Sequence, residues 1–406
     1  MKLLAQYKGL KKENYILFFG KIVTNLGAMV WPMLTMILHK KLGLSATDTA
    51  TFIIVSGVIF LPANLWGGHI ADHFDKKKVI IGCDMISILL FIISGFLPLS
   101  LFSMCVLLVG AFFQTLEAPA YQALVAKITP PDKREKAFSL LYLGGNIGLI
   151  ASPVLAGLLF HRYLWLCFVI SGLSISVSTI LIARFIRETD GEKENLLHKD
   201  AAVSGGSILK IFLRSRALPL FVLAHTFYNG AYAQFGYLMP LDISRAFPEN
   251  GAFLYGTINS VNCLVVVLCT PLLTMFFEKV SMTKKFATGI LLQAISFLAF
   301  LLSFGFIPGY YLSIVLFTLG EIMTSIMIGA YLSSRVPEQY RGRIFGLNSF
   351  AASFMSGVVE WTSGYLFDHL GLSYAWGFSI GMTMVAVVAS LFLIREDRIE
   401  FAEQRI

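Results

Sequence analysis

The chain has 406 residues, of which 56% are apolar and only 14% charged, with a formal charge of +8. A soluble globular domain carries roughly a quarter charged residues, so this composition excludes one and places most of the chain in lipid. The basic residues are scattered through short segments between apolar runs, which reads as membrane topology and headgroup contact rather than a nucleic-acid footprint.

A bilayer core of about 30 Å takes roughly 20 apolar residues per helix. Twelve runs meet that need: 15–38, 49–71, 79–98, 101–126, 138–160, 163–184, 217–240, 253–277, 285–304, 309–334, 345–367 and 373–394. They predict an all-α membrane protein of twelve transmembrane helices in two six-helix bundles, 15–184 and 217–394. The bundles are joined by a charged linker at 185–216 and flanked by tails at 1–14 and 395–406. With the first tail inside, the inner segments carry 27 Lys and Arg and the outer loops 4. That bias predicts a multi-pass protein of the cell membrane with both termini cytoplasmic. The first run is too long and too polar-flanked for a cleaved signal peptide. All five cysteines fall in apolar runs with no CxxC pair and no His/Cys cluster, so no disulfide, metal or cofactor is expected.

In the first run, Lys21 and Asn25 lie one turn apart on one face. A charge at mid-bilayer costs roughly 3 kcal/mol, so Lys21 either snorkels to the interface or faces a wet cavity and pairs with a carboxylate. Between the second and third runs stands Gly67-Gly68-His69-Ile70-Ala71-Asp72-His73-Phe74-Asp75-Lys76-Lys77-Lys78, too short for anything but a tight turn. Gly68 suits close helix approach, Asp72 can pair with a cation or a helix N-terminus, and the lysines hold the turn inside. This turn resembles the signature loop of the major facilitator superfamily, with Gly68, Asp72, Lys77 and Lys78 fitting and His73 and Asp75 replacing the usual Arg and Gly. The resemblance implies the major facilitator fold, with the loop, Arg134 and Arg341 acting as a cytoplasmic latch.

The fourth run carries Gln114 and Glu117 before Pro119, and lacks the Arg that many drug antiporters place there. In the fifth, Gly144, Gly148, Ser152 and Ala156 repeat every four residues, with Pro153 and Gly157 on the neighbouring stripe. Small residues so spaced let helices pack backbone to backbone. The pattern resembles the antiporter motif of the superfamily, which implies interbundle packing by Gly144, Gly148, Ser152, Pro153 and Gly157. Arg134, Phe138, Leu140 and Gly157 recur 207 residues later as Arg341, Phe345, Leu347 and Gly364. An internal repeat of this kind suits two bundles around a midplane site.

In the seventh run His225, Tyr228, Asn229 and Tyr232 share one side, and the eighth carries Asn259 and Asn262. With Lys21, Asn25 and Gln114 these are candidates for a substrate cavity, or for interhelical hydrogen bonds. Glu321, in Leu319-Gly320-Glu321-Ile322 of the tenth run, is an acid among apolar residues and a candidate for proton coupling; Glu360 and Glu117 are further candidates. The stretch around Glu321 resembles the bacterial twelve-helix multidrug/proton antiporters.

No Gly-x-x-x-x-Gly-Lys-Ser/Thr loop occurs, so ATP does not drive transport, and no catalytic constellation marks an enzyme. The expected function is proton-coupled efflux of lipophilic or cationic small molecules by a monomeric secondary transporter in contact with membrane lipids. The alternatives are a narrow-specificity carrier for a metabolite, peptide, siderophore or lipid, and a non-transporting receptor or scaffold.

Overall fold

A computed structural model describes residues 7–186, 215–336 and 340–400, apart from the side chains at positions 131, 135, 341 and 342. The expected linker lies almost wholly outside these residues, and the expected C-terminal tail is described to Glu400. The helices are α1 (Lys12–Leu26), α2 (Val30–Met36), α3 (Ala46–His73), α4 (Lys76–Phe96), α5 (Leu101–Ile128), α6 (Arg134–Leu159), α7 (Leu164–Phe185), α8 (Ala217–Tyr232), α9 (Leu238–Ala246), α10 (Gly251–Phe276), α11 (Met282–Leu302), α12 (Ile307–Arg335), α13 (Arg341–His369) and α14 (Leu372–Glu400).

Helix ends follow local chemistry. The Asp75 carboxylate accepts the Lys78 backbone N–H at 2.8 Å and starts α4. Ser100 and Ser103 form a reciprocal capping box at α5, which satisfies donors that a helix start otherwise leaves unpaired. Gly305 and Gly371, at φ of 78° and 102°, turn the chain before α12 and α14, a conformation costly to other residues.

Ten helical spans are long and apolar enough to cross a membrane among the described residues. Two further spans complete twelve: α13, 29 residues long but carrying Asn348 and Glu360, and the broken pair α8–α9. Here the structure corrects the expectation of continuous helices. The first run breaks between α1 and α2, and the seventh between α8 and α9. Pro32 and Pro240 are each the third residue of the helix after the break. Proline has no N–H to give a preceding carbonyl, so it belongs in a first turn and forces a new helix to begin there. At the first break the Gly27 carbonyl accepts the Met29 N–H at 2.7 Å and the Ser171 hydroxyl at 2.6 Å.

By packing, the described residues form two compact units. Unit 1 takes those within Met1–Leu44, Thr51–Lys193 and Pro248–Cys263; unit 2 takes those within Ser45–Ala50, Glu194–Phe247 and Leu264–Ile406. In unit 1, α4 packs on α5 and α7, and α1 on α6 and α7. In unit 2, α11 packs on α12 and α14, and α8 on α13 and α14. The two wirings are the same, position for position. Lipid tails give no hydrophobic drive between helices, so contact depends on small residues and close backbones. Gly110 accepts the Ser87 hydroxyl at 2.8 Å between α4 and α5. Gly289 and Gly320 sit so close between α11 and α12 that a Cβ on either would lie 2.6–2.7 Å from the other's carbonyl oxygen. Side chains such as Leu65, Phe276 and Leu302 remain exposed, as lipid-facing residues do.

Candidate functional site

The third membrane span of unit 1, α4, carries an acid that the sequence reading passed over. Asp84 lies eight residues past Lys76, about 12 Å along the helix, and is 4% exposed. Thr179 of α7 donates its hydroxyl to the Asp84 carboxylate at 2.6 Å. Asp84 lines a cavity of about 730 Å³ within unit 1, together with Lys21, Asn25, Gln114 and Glu117. Lys21 therefore faces the cavity. Glu117 feels both the Asp84 carboxylate and the Lys21 ammonium, and its Oε2 is buried with no hydrogen-bond partner among the described residues. Asn25 is fixed by donating to the Gly145 carbonyl at 3.0 Å. Tyr121, Gln122 and Asn146 also line the wall; the sequence signal for these was weak, since single uncharged polar residues within membrane helices are commonplace.

Three ionisable groups on one wall sum to a formal charge of −1 when all are ionised. Such a cluster has room for one further monovalent cation or one proton. Its apolar surroundings, including Phe91, Val125 and Leu149, weaken competition from water and lengthen the reach of each charge.

Unit 2 treats its polar groups differently. Tyr232 donates its hydroxyl to Glu321 at 2.8 Å and stacks on Phe317. Thr324 donates to the Tyr228 hydroxyl, and His225 Nδ1 lies 3.0 Å from the Asn348 amide oxygen. Asn229 donates to Ser356 at 2.9 Å and to the Ala352 carbonyl at 3.3 Å. The shared face of α8 read from the sequence is thus taken up by bonds to α12 and α13. Asn259 and Asn262 are buried on the part of α10 that belongs to unit 1, Asn259 donating to its own helix at Tyr255. Glu360 is half-buried on α13. A further acid, Asp242 of α9, is fully buried and accepts from Tyr310 at 2.6 Å and Trp376 at 2.7 Å. It falls just past the run read as 217–240, because the break carries the helical span on to Ala246.

The turn between α3 and α4 corrects two expectations. Gly67, rather than Gly68, is the close-approach residue: a Cβ there would collide with the Leu116 carbonyl of α5, whereas Gly68 faces open space. Asp72 is exposed, and the acid that organises the turn is Asp75. Lys77 donates to the carbonyls of Ala183 and Ile186 at the end of α7, both at 2.7 Å, favourable for a cation at a helix C-terminus. The Lys78 backbone is capped by Asp75. Arg134 donates to the Ala126 carbonyl of α5 at 3.1 Å. The Arg341 side chain lies outside the described residues.

The small-residue stripe of α6 divides its contacts. Gly144 and Gly148 pack on α1: a Cβ would lie 2.8 Å from the Phe18 ring at one and 2.5 Å from the Ile22 carbonyl at the other. They serve packing inside the first six helices, not between bundles as the motif implied. Pro153 and Gly157 instead meet Gly256, Ala252 and Phe253 at the start of α10. The Ser152 hydroxyl is buried without a partner among the described residues.

Residues 17–359 match the Major Facilitator Superfamily. The MFS-type transporter YqjV of Bacillus subtilis (strain 168) is 26% identical, over 95% of this chain and 94% of its own. A Na(+), Li(+), K(+)/H(+) antiporter of Planococcus maritimus is 25% identical, over 88% of each chain. In structure, a POT family transporter in complex with 5-aminolevulinic acid superposes with a TM-score of 0.74 at 18% identity, covering 95% of this chain and 96% of that one. Repeated helix wiring, spans fit for a bilayer and a family match over most of the length agree: the chain is a transporter of the major facilitator superfamily.

Proposed function

We propose that this transporter is a proton-coupled exporter of lipophilic, mainly cationic solutes, working by alternating access with both termini cytoplasmic. Glu117 and Asp84 form its exchanging pair, and Lys21 is their resident counter-charge. The observation that supports this is the grouping of the three on one cavity wall, with one Glu117 oxygen lacking a donor. A carboxylate with one oxygen that no donor among the described residues holds can exchange proton, ammonium and solute there. One cation leaves as one proton arrives, and the cluster's charge is conserved. The exchange of small cations for protons by the Planococcus maritimus relative agrees with this reading. Glu321 and Glu360 remain secondary coupling candidates, with Glu321 held by Tyr232. The exposed turn at Asp72 and the half-buried Arg134 are retained as parts of the proposed cytoplasmic latch.

A narrow-specificity carrier for an anionic solute is the second reading, favoured by Lys21 facing the cavity. Two carboxylates beside that lysine outweigh it, so the cationic reading stands first.

The test is reconstitution in liposomes with an imposed pH gradient and a fluorescent lipophilic cation. Wild type moves the cation uphill, Glu117→Gln does not, and Glu321→Gln retains movement. Coupling kept in Glu117→Gln and lost in Glu321→Gln would transfer the role to α12. No movement in wild type would favour the anionic carrier, with Lys21→Met the next variant.

A further inference from the structure

Away from the transport cavity, unit 2 has a second polar hollow that no part of the proposed mechanism uses. It measures about 350 Å³ and lies between the α10–α11 turn and the last turns of α14. Its lining is Lys279, Val280, Ser281, Lys284, Ile394 and Arg398. Three cations therefore face one small space, and no carboxylate lines it. The strongest nearby acids are engaged elsewhere. Asp397 accepts from Arg335 at 3.0 Å and from Tyr331 at 3.1 Å. Glu400 accepts the Ser215 hydroxyl at 2.7 Å and the Arg216 backbone N–H. Glu278 and Glu396 flank the hollow without lining it. Ser281, just before α11, spends no side-chain hydrogen bond on capping that helix, so its hydroxyl can serve an oxyanion.

We propose that this hollow binds the phosphodiester headgroup of an anionic phospholipid. Charge complementarity argues for the phosphate: three clustered cations repel one another until an anion joins them. The surroundings argue for a lipid. Phe276, Met282, Leu391 and Ile399, each within three residues of a lining position, are all exposed, Phe276 by 73% and Ile399 by 63%. Acyl chains below the headgroup would cover them. The end of the bundle that carries these lysines is the one the charge bias predicts to be cytoplasmic, where anionic headgroups attract Lys and Arg.

The probe is phosphatidylglycerol against phosphatidylcholine, added to the purified full-length protein in detergent and read by native mass spectrometry. Wild type retains phosphatidylglycerol in preference to phosphatidylcholine. In Lys279→Gln/Lys284→Gln/Arg398→Gln the preference falls by about a hundredfold, each of the three charges carrying roughly fivefold. If the triple variant does not fold, the three single variants read the same loss in smaller steps, and Lys284→Arg keeps the wild-type preference. Equal retention of both lipids by wild type, or an undiminished preference in the charge-free variant, overturns the proposal. So does inorganic phosphate that binds wild type and displaces phosphatidylglycerol completely, which would assign the hollow to a free phosphate ion.

Discussion

An acid inside a membrane is defined by what answers it, and the acids of this chain fall into two kinds. Asp242 is held by two neutral donors from α12 and α14; Glu117 keeps an oxygen to which nothing among the described residues donates. The first is built to stay; the second is the one we propose to exchange. Asp242→Ala leaves the Tyr310 hydroxyl and the Trp376 indole N–H unpaired in a buried place, at about 1–3 kcal/mol each. A clear drop in Tm is expected, read by a fluorescence melt in detergent. Glu117→Gln, by contrast, keeps the wild-type Tm and loses proton-driven transport; a melt shifted as far as that of Asp242→Ala would refute the assignment. Glu117 was legible in the sequence as an acid within an apolar run. Asp84 obeys the same rule within the run 79–98, yet the sequence reading passed it over beside the more conspicuous charged turn. Only the start of α4 at Lys76 carries it two turns into the bundle. The partners of His225, Asn229 and Tyr232 lie 89 to 127 residues away, beyond anything spacing on one helix can reveal.

At the scale of the helix, the glycine pair between the second and third spans separates two roles that the motif combines. A side chain at Gly67 meets a backbone carbonyl of α5, which cannot rotate away; one at Gly68 meets nothing. Gly67→Val is therefore expected to destabilise by about 1–3 kcal/mol, the range for overpacking, and Gly68→Val to be near neutral. Chemical denaturation of the two variants in parallel checks this, and equal effects would sink it. Helix number, length and the small-residue stripe of α6 were readable from hydropathy and four-residue spacing. The breaks after α1 and α8 were not, because a proline in a first turn and a proline in a kink leave the same mark on a hydropathy pattern. Direction of packing was also hidden: Gly144 and Gly148 could have faced any neighbour, and they face α1.

At the scale of the whole molecule, the 27-to-4 bias of basic residues fixes an expected orientation. A cysteine placed at exposed His73 should react with a membrane-impermeant maleimide only after the cells are opened, and one at exposed Arg162 in intact cells. The reverse pattern would invert the topology. The repeat at an offset of 207 was legible from four matched residues, and the shared wiring of the two units extends it to every principal helix pair. The chemistry does not follow the wiring. Unit 1 gathers Lys21, Asp84 and Glu117 on a cavity wall, while unit 2 ties Glu321 and Asp242 to tyrosine and tryptophan. That division has an evolutionary consequence. A scaffold inherited twice is preserved by packing in both copies, but ion coupling needs to be preserved in only one. Mutation can then explore new charges and cavities in the other copy while the lineage keeps its energy source. A family built on such a duplication broadens its range of cargo without having to reinvent its motor.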